Sequence, residues 1–97
     1  MITYTNIENA KDLLIDEWGT DGVKVIQATK KVKKFNGTFD EFLDNCVACG
    51  GNFTGMFLTG LKKLYPSVVE ATPDRLGKNS FSCICAVMVL CGIDIGK

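Results

Sequence analysis

From Phe81 to Leu90 the chain carries one polar side chain, Ser82. An element apolar on every side has no face to give to water and belongs at the centre of a molecule. The longest unbroken apolar stretch, Cys83 to Gly92, is too short to cross a bilayer as a helix, which takes roughly 20 residues. The run is therefore read as a core element that the rest of the 97 residues must cover. A buried strand would have the same composition. Helix is preferred, because the remainder of the chain reads as helix.

Thr5-Asn6-Ile7-Glu8 has the form of a capping box, and Ile7, Ala10, Leu14 and Trp18 follow at spacings of three and four. Gly19 is a stop signal, and Thr20-Asp21-Gly22 reads as a turn. Val25, Ile26, Thr29 and Val32 put a helical stripe on the segment from Val23 to Phe35. Its β-branched residues also allow a strand, but Ile26 breaks the alternation. Thr38-Phe39-Asp40-Glu41 is a second capping box, with Phe39, Phe42, Leu43, Cys46 and Val47 behind it and acids in the first turn, where the helix dipole favours them. Asn52 can cap a further helix bearing Phe53, Met56, Phe57, Leu61 and Leu64, closed by Pro66. Ser67 to Ala71 fits one short helical turn, and a helix from Pro73 either runs on or restarts at Ser80. The expected fold is a single all-α domain over residues 1–97, a bundle of four to six helices with a buried apolar C-terminal helix. The helix from Thr38 and that last helix are expected to form the core, with the first helix packed across them.

Charge excludes more than it suggests. Eleven basic and eleven acidic residues cancel, but by segment: residues 1–21 hold five acids and one base, 22–37 five lysines and no acid, 38–45 three acids and no base. The chain has no histidine, which removes the commonest general base, the Ser-His and Cys-His nucleophile pairs and every histidine-containing metal site. There is no GxSxG and no phosphate-binding glycine loop. Asp40, Glu41 and Asp44 are accounted for by capping and solvation. A non-enzyme is expected, with no cofactor.

Three constellations remain. Cys46-Val47-Ala48-Cys49-Gly50-Gly51 is half of a zinc knuckle and has thiol–disulfide spacing. Cys83, Cys85 and Cys91 supply no matching pair: the first two lie on nearly opposite sides of a helix, inside an apolar run. Zinc or thiol chemistry at Cys46 and Cys49 is the third reading, behind simple packing. Lys24, Lys30, Lys33 and Lys34, with Lys31, form a cluster that could grip phosphates, and nucleic-acid binding is the alternative function. The chain's one arginine is elsewhere, no aromatics are interleaved, and flanking acids oppose it. Gly51, Gly55 and Thr59 make a strip of small residues that permits close approach of a helix, from this chain or another. The preferred reading is an accessory protein acting through protein–protein contacts, self-associating as a homodimer, with Gly51, Gly55 and Thr59 as its surface. With no signal-like segment in Met1 to Ala10, five cysteines and no membrane span, a cytoplasmic setting is expected. Carriage on a mobile element such as a prophage is suggested by size alone.

Overall fold

A computed structural model describes residues 7–46, 53–73 and 80–93. The elements are α1 (Ile7–Trp18), α2 (Thr20–Lys30), α3 (Phe39–Leu43), α4 (Phe53–Leu64), α5 (Pro66–Ala71) and α6 (Ser80–Leu90). The protein is all-α, with no strand among the described residues. None of the described helices is long and apolar enough to cross a membrane.

The apolar run is the central helix. Cys83 through Met88, Leu90 and Cys91 are all buried, and α1, α2 and α4 pack around them. α1 presents Ala10, Leu14 and Trp18, the stripe read from the sequence. The indole Nε1–H of Trp18 is buried and finds no acceptor among the described residues.

The corner between α1 and α2 is one residue long. Gly19 takes φ +59° and donates its N–H to Ile15 O at 2.8 Å, and α2 starts at Thr20. Thr20-Asp21-Gly22 is thus the first turn of a helix and not a loop. Gly22 is the reason it fits: a Cβ there would run into the Leu14 carbonyl, whose carbon would lie 2.7 Å away. Absence of a side chain lets the two backbones meet.

Three other expectations change. The lysine-rich helix does not reach Phe35; α2 ends at Lys30, and the chain from Val32 to Asn36 follows no regular element. The Thr38 capping box is present, with Glu41 N–H on Thr38 Oγ1 at 3.1 Å and Thr38 N–H on Glu41 Oε1 at 2.9 Å. The helix behind it nevertheless stops after five residues. α3 is not a main partner of α6; it contributes Phe42, fully buried beside Phe35, Phe39 and Phe57 at ring-centroid distances of 6.2 Å each. Pro66 does not merely end α4. It sits in the first turn of α5, where its missing N–H costs nothing, and Tyr65 is the single residue between the helices. The expectations for Thr5, the 74–79 segment, Cys49 and Gly51 lie outside the described residues.

Candidate functional site

The candidate site is built on the C-terminal end of α6. Carbonyls in a helix's last turn have no partner within the helix. Gly92, at φ +89°, turns the chain; Ile93 N–H reaches Met88 O at 2.9 Å and Gly92 N–H reaches Val89 O at 3.0 Å. These are the paired bonds of a Schellman motif, and the accompanying apolar contact is available because Ile93 and Met88 are both buried.

The next two carbonyls are satisfied from far away in sequence. Lys34 Nζ donates to Leu90 O and to Thr29 O, both at 2.8 Å, tying the ends of α2 and α6 together. The Phe35 N–H donates to Cys91 O at 2.8 Å, and the Tyr65 hydroxyl donates to the same oxygen at a longer 3.4 Å. Burial, with a smaller push from Cys91, raises the Tyr65 phenol above its usual range and keeps it a neutral donor. A Cβ on Gly92 would stand 3.0 Å from Lys34 Cβ and 3.2 Å from Phe35 N, so glycine is needed there for its conformation and for this close approach.

Stitching the 32–36 segment to α6 leaves an open groove between it and the α4–α5 corner, with a volume of about 530 Å³. Half-buried Val32, Phe35 and Leu64 form its floor with buried Tyr65. Exposed Lys33, Lys34, Asn36, Pro66 and Ser67 form its rim. Among the described residues the lining contains no acid. Lys62 and Lys63, exposed in the last turn of α4, adjoin it in sequence. The groove is apolar below and cationic above.

The lysine cluster is therefore only partly brought together. Lys33 and Lys34 meet at the groove, Lys30 is exposed at the end of α2, and Lys24 stands a turn and a half earlier, with Nζ 4.0 Å from Asp21 Oδ1. Lys34 spends two of its three N–H donors on main-chain carbonyls. Lys33 and Lys34 were legible in the sequence, but nothing there marked Val32, Phe35, Leu64 and Tyr65 as a shared surface; only Pro66 marked the corner.

The small-residue strip is confined, among described residues, to Gly55 and Thr59. Both are half-buried, and Thr59 Oγ1 donates to Gly55 O at 2.8 Å, a bond within the helix. The tight approach on α4 occurs at Gly60, where a Cβ would lie 2.7 Å from Cys46 Sγ and 2.9 Å from Phe42 Cζ. Cys46 lies beyond the end of α3, half-buried, with its thiol 3.7 Å from Phe42 O. Burial pushes the thiols of Cys83 and Cys85 up to about 11 and that of Cys91 to about 12, so all three are protonated and poor nucleophiles near neutral pH. Among the described residues no three cysteine, aspartate or glutamate side chains gather as a metal-binding group. No protein-family model matches the chain, and no curated protein or solved structure does so either.

Proposed function

We propose that this chain is a non-enzymatic accessory protein that works through protein–protein contacts, with the groove between the 32–36 segment and the α4–α5 corner as its docking surface. The observation that carries the reading is the groove's make-up: an apolar floor of Val32, Phe35, Leu64 and Tyr65 under a lysine rim. Protein interfaces combine such an apolar centre with a polar edge. Gly55 and Thr59 are a weaker surface, since the threonine hydroxyl is turned back into its own helix. A cytoplasmic setting, where thiols stay reduced, goes with this reading.

A second reading, phosphate-backbone binding by Lys24, Lys30 and Lys33, is supported by their exposure. It is weakened by the commitment of Lys34 to two carbonyls. One experiment separates the two. A photo-crosslinking amino acid is placed at Ser67, on the groove's rim, and at Asp40 as an exposed control. Discrete protein adducts from position 67 alone, identified by mass spectrometry, are expected in the native host. Adducts to nucleic acid, identical adducts from both positions, or none would overturn the reading.

A further inference from the structure

Resting on that reading of the groove, we propose that its occupant is the acidic outer face of α1 from a second copy of this chain, so that molecules associate head to tail. The acids of α1 and the lysines of the groove lie on elements that are kept apart in the fold, while Asp40 and Glu41 sit on α3. α1 packs on α2 and α6 and makes no close contact with α4 or α5 among the described residues, whereas the groove lies at the α4–α5 corner. The groove's lysines and the acids of α1 are therefore on separate surfaces of one copy.

The acidic flank has the form such a groove takes. Asp12 and Asp16 are exposed and four residues apart, on one face of α1. Ile15 beside them leaves 44% of its surface in water, comparable with Val23 at 40% and Phe81 at 47%. An amphipathic helix laying an apolar residue into a groove, with its charges on the rim, is a recurrent docking mode. Ile15 would meet the floor of Val32, Phe35 and Leu64, and Asp12 and Asp16 would face Lys33 and the remaining N–H of Lys34. Lys11, half-buried at the margin of the α1 face, is the one opposing charge on that helix.

Because donor and acceptor surfaces sit on different flanks, a single copy cannot satisfy both by itself, and pairing leaves one of each unused. Heterologous contacts of this kind close into rings or grow open-ended. The mass of the associating species is thus expected to climb with concentration beyond twice 10.6 kDa.

Sedimentation equilibrium of the full chain at low ionic strength tests this, with Lys33→Glu, Asp16→Lys and, as a control of the same net charge, Asp40→Lys. All three positions are exposed, so the fold is retained, which a circular-dichroism melt verifies. The wild type is expected to associate, at least about tenfold more weakly when salt shortens the screening length to a few ångströms. Lys33→Glu and Asp16→Lys should each weaken self-association at least about tenfold, a loss of ~1.4 kcal/mol. An equal mixture of the two should restore it, since each reversed surface then meets its complement. Asp40→Lys, which keeps both surfaces, should associate by itself as the wild type does. A monomer at all concentrations, association indifferent to both reversals, an equal mixture of the two reversals that stays dissociated, or an equal loss in Asp40→Lys alone would overturn the proposal. So would an oligonucleotide retained by the wild type and lost by Lys33→Glu while the chain stays monomeric. Protein adducts from position 67 to a different protein, with a monomeric chain, would sink this inference and leave the docking role intact.

Discussion

α1 and the segment from Val32 to Asn36 both lie against α6, and they are held there by opposite means. α1 offers Ala10, Leu14 and Trp18, all buried, and meets α2 at a corner where Gly22 and Leu14 touch main chain to main chain. The 32–36 segment offers no helix; it is fixed by an ammonium and an amide bonded to the Leu90 and Cys91 carbonyls. Apolar contact works only when the contacting side chains turn inward and water is shut out. Directional bonds at a helix end hold a backbone in place while its other side chains stay turned towards an opening. A flank that closes a core is therefore built the first way, and a flank that keeps a surface available is built the second way.

The comparison is broken most severely at Leu14. Leu14→Ala should cost about 3–4 kcal/mol, the usual range for a fully buried leucine, read as the shift in a denaturant midpoint. Lys34→Met keeps the stem and removes the donors, so it should cost only about 1–2 kcal/mol, the worth of charge-assisted bonds to partly exposed carbonyls. A loss for Lys34→Met as large as for Leu14→Ala would erase the distinction between the flanks.

Alkali sharpens it. The thiols of Cys83 and Cys91 are raised from their ordinary 9.0 to about 11 and about 12 by burial, Glu17 adding to the first and Lys34 partly opposing the second. Between those values the unfolded chain has released protons that the folded chain keeps. Stability is then untouched by these groups below the ordinary thiol value and falls as pH rises from 9.0 towards about 11. The melting temperature should drop across that window in one transition, and Cys91→Ala and Cys83→Ala should each flatten the slope. A slope unchanged in both variants would show that other groups set it.

The smallest effect is expected at Trp18. Its buried Nε1–H finds no acceptor among the described residues, so Trp18→Phe loses ring volume but gives up no hydrogen bond to them, and the change should stay within about 1 kcal/mol. A loss well beyond that would mean the indole contributes more than packing.

Elements whose signals are local were legible in the sequence. The three-and-four spacing of Ala10, Leu14 and Trp18, the capping box at Thr38 and the unbroken apolar run of α6 all appear where their residues place them. The lysine segment was misread because its helical spacing is real, yet the amide of Phe35 and the ammonium of Lys34 find their acceptors on α6, far along the chain. No local pattern announces such a bond. α3 stops short although Cys46 and Val47 continue its apolar pattern in the sequence, and Cys46 packs from beyond its end close to Gly60. Gly92 after a long apolar helix was a readable cap signal; its second duty, admitting Lys34, was not. The groove depends on two stretches far apart in sequence, 32–36 and 64–67, and so had no sequence signature beyond Pro66.

The bond from Lys34 to Leu90 spans 56 residues, whereas the Leu14–Gly22 corner is closed by a stretch of chain an order of magnitude shorter. Loop-closure entropy makes the second contact accessible early and the first only once α6 has found its place. The α1–α2 corner can therefore close early, while the Lys34 bond, like the packing of α1 on α6, waits for α6 to arrive. Native-state hydrogen exchange should find the Phe35 amide among the faster of the bonded amides, and the amides of α6 that face α1 among the slowest.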